Sequence, residues 1–101
     1  MEPTQFTVIA ELTALKGFED EVLELVSTQV SLSRKQEDVI YYSSSEVIGE
    51  KGKYVFFEVY RTKEAFEINK ASSHTQAFFK ATNGKLKGDG VKATFLKEVN
   101  I

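Results

Sequence analysis

The run Tyr54-Val55-Phe56-Phe57-Glu58-Val59-Tyr60 has no solvated face. In an extended chain, successive side chains point to opposite sides. Val55, Phe57 and Val59 make one wholly apolar side. Tyr54, Phe56, Glu58 and Tyr60 make the other, aromatic apart from one acid. Residues 53–61 therefore predict a strand that needs cover on both faces. One layer of helices can supply only one of the two.

The rest of the chain shows what is at hand. In Phe6-Thr7-Val8-Ile9-Ala10-Glu11-Leu12-Thr13, the residues Phe6, Val8, Ala10 and Leu12 share a face, and Lys16-Gly17 ends the pattern. That is a strand at period two. From Phe18 the period becomes helical. Phe18, Val22, Leu25, Val26 and Val30 form a stripe, Glu19, Asp20 and Glu21 crowd the start, and Arg34-Lys35 close the segment. The expectation is a helix over residues 18–33, its acidic start simply solvated. A strand over residues 39–48 follows, and Gly49-Glu50-Lys51-Gly52 is a hairpin connection into residues 53–61. Thr62 is placed to cap a short helix over residues 63–71. Ser73 and Gln76 fit a capping box that starts a second helix at His74, running to about Thr82. Asn83-Gly84 stops it, and residues 91–99 make the last strand.

The order is β-α-β-β-α-β with the second helix split, which predicts an α+β, ferredoxin-like domain with a four-stranded antiparallel sheet over residues 1–101. Helices cover one sheet face and leave the other apolar. Two such faces packed about a two-fold axis bury each other, so a homodimer is expected.

Composition removes whole classes of function. Thirteen basic and 15 acidic residues give a net charge of -2, with no basic stripe for nucleic acid. No apolar run approaches the ~20 residues of a membrane span. No secretion signal is seen at the N-terminus, so a cytoplasmic protein is expected. There is no cysteine, which removes thiolate nucleophiles and Cys-ligated metals, and one histidine cannot build a His-rich metal site. Neither a metal nor a cofactor is expected.

Four segments resemble a known family. Ala10-Glu11-Leu12-Thr13-Ala14-Leu15-Lys16-Gly17 is similar to the "A-E-[apolar]…G" opening of the antibiotic biosynthesis monooxygenases. Ser33-Arg34 with Tyr42 resembles their "S-R…Y" entry to strand two. Phe57-Glu58-Val59-Tyr60-Arg61-Thr62-Lys63-Glu64-Ala65-Phe66 looks like their "[aromatic]-E-x-W-x-S-x-E-A-[apolar]" segment. Ser73-His74 with Phe78 matches their "S-[PS]-H-x-x-x-[aromatic]" helix start. The four occur in collinear order across nearly the whole chain. The resemblance implies a dimeric α/β barrel. Members include oxygenases of phenols and quinols that use no metal or flavin, and others that degrade haem or process a signal metabolite. The chain departs from the family pattern at Tyr60, where tryptophan is commoner, and at Asn69, where many members carry a first histidine. Gln36-Glu37-Asp38 replaces the usual E-P-G turn. Tyr60 and Ala10 argue against haem degradation.

Cofactor-free oxygenation needs an electron-rich substrate, a dry aromatic pocket, a base, and donors to hold an anion. His74 is the candidate base, its imidazolium disfavoured by a helix N-terminus; the alternative is a first-turn surface residue. Tyr60 joins it as a candidate catalytic residue. Glu58, Asn69, Tyr42, Phe56 and Phe78 are candidates for binding the substrate. For Tyr54, Phe56 and Tyr60 the alternative is dimer core, with Glu58 paired to a basic residue. For Tyr42 and Phe78 it is plain packing, and for Asn69 an exposed helix position. The expected activity is oxidation of a hydrophobic phenolic or quinol by dioxygen. The alternatives are a non-catalytic small-molecule-binding barrel and an isomerase or lyase acting on a signal metabolite.

Overall fold

The computed structural model describes residues 5–99. Seven elements occur in the expected order: β1 (Phe6–Thr13), α1 (Glu19–Ser33), β2 (Val39–Glu46), β3 (Lys53–Tyr60), α2 (Lys63–Ala71), α3 (Ser73–Thr82) and β4 (Lys92–Lys97). The sheet is antiparallel throughout, in the order β2-β3-β1-β4. No helix among the described residues is long and apolar enough to cross a membrane.

Register places the two faces of the sheet. Val8 pairs with Glu58 and Phe95, Ala10 with Phe56 and Ala93, and Tyr42 with Glu58. These residues, with Leu12, Tyr54 and Tyr60, share the helix side. Val8, Leu12, Tyr54, Phe56 and Tyr60 are buried there with Val22 and Val26 of α1 and Phe78 of α3. Each such apolar side chain contributes about 1.5–3 kcal/mol on burial. Tyr54, Phe56 and Tyr60 thus pack beneath helices, which corrects the reading of them as dimer core. The opposite face carries Ile9, Tyr41, Val55, Phe57, Val59 and Leu96. Tyr41 is 51% exposed and Phe57 42%, their rings in edge contact.

Local chemistry explains the boundaries. Thr62 caps α2, its Oγ1 accepting from Ala65 N at 3.1 Å. α3 begins one residue earlier than the capping box predicts. Ser72, not Ser73, is its N-cap and accepts from Thr75 N at 3.3 Å, while Gln76 turns back to donate to the Lys70 carbonyl. Ser72 is the better placed because it also closes α2, donating to the Asn69 carbonyl at 2.6 Å. The turn before β2 also has a cause. Asp38 has φ 66°, a left-handed conformation that favours glycine. It stands where the family pattern has glycine, and Arg61 holds it through both backbone and side chain.

Candidate functional site

The helix side of the sheet is not fully filled. Between it and the helices lies a cavity of about 240 Å³. Phe56, Phe66 and Phe78 give it apolar walls, stacked edge to face around the aromatic side of β3. Lys70, Phe79, Ala93 and Phe95 line it where α2, α3 and β4 are exposed, and mark its mouth. It opens there because β4 is exposed along its whole length.

One carboxylate stands on this apolar wall. Glu58 is 7% exposed and points inward because it alternates with Phe56 and Tyr60 on β3. Burial raises its pKa to about 7, opposed in part by the hydroxyls of Tyr60 and Tyr42. No basic residue pairs with Glu58 among the described residues. Its partner is Tyr60, whose hydroxyl donates to Oε1 at 2.6 Å. Burial and the nearby carboxylate push the Tyr60 phenol further up, so it remains a donor. Burial likewise raises Tyr42.

Behind Tyr60 the hydrogen bonds continue in one direction. Asn69 Nδ2 donates to the Tyr60 hydroxyl at 3.2 Å and to Ser33 Oγ at 3.2 Å. That leaves Asn69 Oδ1 as acceptor for His74 Nε2 at 3.0 Å, which fixes the Nε2–H tautomer. His74 Nδ1 faces Ser72 Oγ at 3.1 Å, and Nε2 also lies 3.3 Å from Ser33 Oγ. Burial lowers the His74 pKa, so the ring is neutral at pH 7. The result is a file of donors running from His74 through Asn69 and Tyr60 to Glu58.

The residues singled out from sequence fall into two groups. Glu58, Tyr60, Asn69, Tyr42, Phe56 and Phe78 all line the cavity. His74 does not; it lies one residue behind, touching the cavity only through Asn69. Asn69 itself is 2% exposed, so it is no surface helix position. Sequence reasoning missed Gln29, Ser33 and Thr75, each buried and each in this polar network. Gln29 and Ser33 carried a signal. They fall at seven and eleven residues from Val22, on the stripe of α1 that helical spacing assigns to the core, where a polar residue needs a reason.

Residues 5–81 match the family model for antibiotic biosynthesis monooxygenase. No curated protein sequence matches the chain. Solved structures share the fold at low identity. A Pseudomonas aeruginosa protein superposes with a TM-score of 0.89 at 21% identity, covering 99% of both chains. A Mycobacterium tuberculosis protein gives 0.88 at 20% identity, covering 97% of this chain and 98% of that one. An antibiotic biosynthesis monooxygenase gives 0.87 at 22% identity, covering 94% and 99%.

Proposed function

From the premise that the chain belongs to the antibiotic biosynthesis monooxygenase family, we propose that it oxidises a hydrophobic phenolic or quinol with dioxygen, using the cavity under α2 and α3. The observation that carries this reading is a buried carboxylate on an aromatic cavity wall, held by an oriented file of donors. Glu58 takes the proton that activates the substrate, because it stands on the cavity wall at the right acidity for neutral pH. Tyr60 is placed to steady the resulting oxyanion as a donor. His74, the base expected from sequence, acts at one remove by holding Asn69 against Tyr60.

The chemistry balances without a reductant. For a quinol, loss of a hydroxyl proton gives an electron-rich anion whose charge is shared with the adjacent ring carbon. The anion passes one electron to dioxygen, and the radical pair joins to form a carbon–oxygen bond at that ring carbon. The peroxide then breaks its O–O bond as that carbon loses its hydrogen. Quinol plus O2 becomes hydroxyquinone plus H2O, and the substrate supplies all four electrons.

We infer further that the protein is a homodimer through the face bearing Ile9, Tyr41, Val55, Phe57, Val59 and Leu96. An apolar patch with two half-exposed aromatics favours cover by a second copy.

Oxygen uptake with naphthohydroquinones and anthrones, corrected for autoxidation, tests the function. Glu58→Gln should lower the turnover number about 10²-fold or more, the usual weight of a general base. His74→Ala should lower it less. Full activity in Glu58→Gln overturns the assignment of the base. No uptake with any substrate, from folded protein, favours the binding barrel; turnover without oxygen uptake favours the isomerase or lyase.

A further inference from the structure

Gln29 enters the cavity wall from α1 and is 5% exposed. Its Nε2 donates to Thr75 Oγ1 at 2.8 Å and lies 3.4 Å from the Tyr42 hydroxyl. With Nε2 held on these two hydroxyls, the amide oxygen is the end of the side chain left over.

That oxygen, Gln29 Oε1, is fully buried and has no hydrogen-bond partner among the described residues. Buried polar atoms are paired in the large majority of cases, and each exception calls for a cause. Here every other polar group nearby is engaged: Tyr42, Thr75, Ser72, Asn69, Tyr60 and Glu58 hold one another. Gln29, the residue that carries this unpaired acceptor, lines the largely apolar cavity, which is where a ligand group belongs.

We propose that Gln29 Oε1 accepts a hydrogen bond from a hydroxyl or N–H of the substrate, making Gln29 a specificity residue. The inference rests on the cavity being the substrate site. It implies a substrate with two donors, one addressed to Glu58 and one to Gln29. The cavity limits size as well. At about 240 Å³ it falls below the ~300–1,000 Å³ of sites for drug-sized ligands. The class of substrate is therefore a one- or two-ring aromatic carrying a second hydroxyl or amino group.

The test is anaerobic calorimetry with the two naphthols, the symmetric dihydroxynaphthalenes, and the mono-methyl ethers of those diols. Exclusion of oxygen keeps binding apart from turnover. At least one diol should bind wild-type protein roughly tenfold more tightly than either naphthol, the worth of one added hydrogen bond to a buried acceptor. Its mono-methyl ether, which keeps the oxygen but loses the donor, should fall back to the naphthol level. In Gln29→Met the diol's advantage should disappear, and in Gln29→Glu, which keeps an oxygen there, it should persist. A diol with no advantage over naphthol, while naphthol itself binds, overturns the role of Gln29 and leaves the cavity as substrate site. An advantage that survives in Gln29→Met, or in the methyl ether, does the same. Failure of every compound to bind the folded wild-type protein overturns both readings together.

Discussion

Replacing Glu58 with glutamine should change how the stability of this protein depends on pH, in a direction that can be worked out. Glu58 titrates near 7 in the fold, against 4.5 for an ordinary glutamate. Between these values the native state holds a proton that the unfolded chain has released. Stability therefore falls as pH rises through this window and levels off above it. At about 1.4 kcal/mol for each unit of pH, the whole window amounts to about 3 kcal/mol. Glutamine fills the same volume and keeps an oxygen to accept from Tyr60, but carries no titrating proton. Other groups titrate equally in both proteins, so the quantity to read is the difference between them. Urea unfolding followed by circular dichroism at pH 5, 6, 7 and 8, at one fixed protein concentration, supplies it. The variant should gain on wild type by about 2.5 kcal/mol between pH 5 and pH 8, because part of the window lies below pH 5. Parallel curves, with the same gap at every pH, would refute the claim that Glu58 is buried without a charged partner.

Three other perturbations bear on separate parts of the structure. Tyr60→Phe keeps the ring contact with Phe66 but strips Glu58 of its donor and Asn69 of an acceptor; denaturant unfolding should show a loss of about 1–3 kcal/mol. Phe57→Asp places a charge in the middle of the exposed apolar face; sedimentation velocity should give a dimer for wild type and a monomer for the variant. Ser72→Ala removes the cap of α3 and the closure of α2 together, and should lower stability by about 1–2 kcal/mol, measured by thermal or urea unfolding.

The fold was legible because each element announces its own period. The alternation of Phe6, Val8, Ala10 and Leu12 and the stripe from Val22 to Val26 each name an element and a buried face. Boundaries were less legible where two residues of one type compete. Ser72 and Ser73 both precede α3, and only the three-dimensional closeness of the Asn69 carbonyl decides between them. The acid on β3 stood out because it interrupts an aromatic face. Its partner did not, because no pattern in sequence says that Tyr60 two residues on, rather than a distant basic residue, will satisfy it. Likewise His74 was visible as the single imidazole, but its place behind Asn69 depends on how α2 meets α3. Gln29 was hidden by its own helix: counted as one more polar residue, it reads as surface until its register with Val22 is noticed.

The file of donors from His74 to Glu58 has a practical consequence. Each hydrogen bond in it passes on a change of charge at the next, so ionisation of the carboxylate must register at the imidazole three links away. The chain holds one histidine. The Nε2–H proton of its ring, held by Asn69, thus gives an isolated resonance in a clear downfield region of the proton spectrum. The protein carries a built-in spectroscopic gauge of its own cavity, one that reads occupancy and protonation with no label attached.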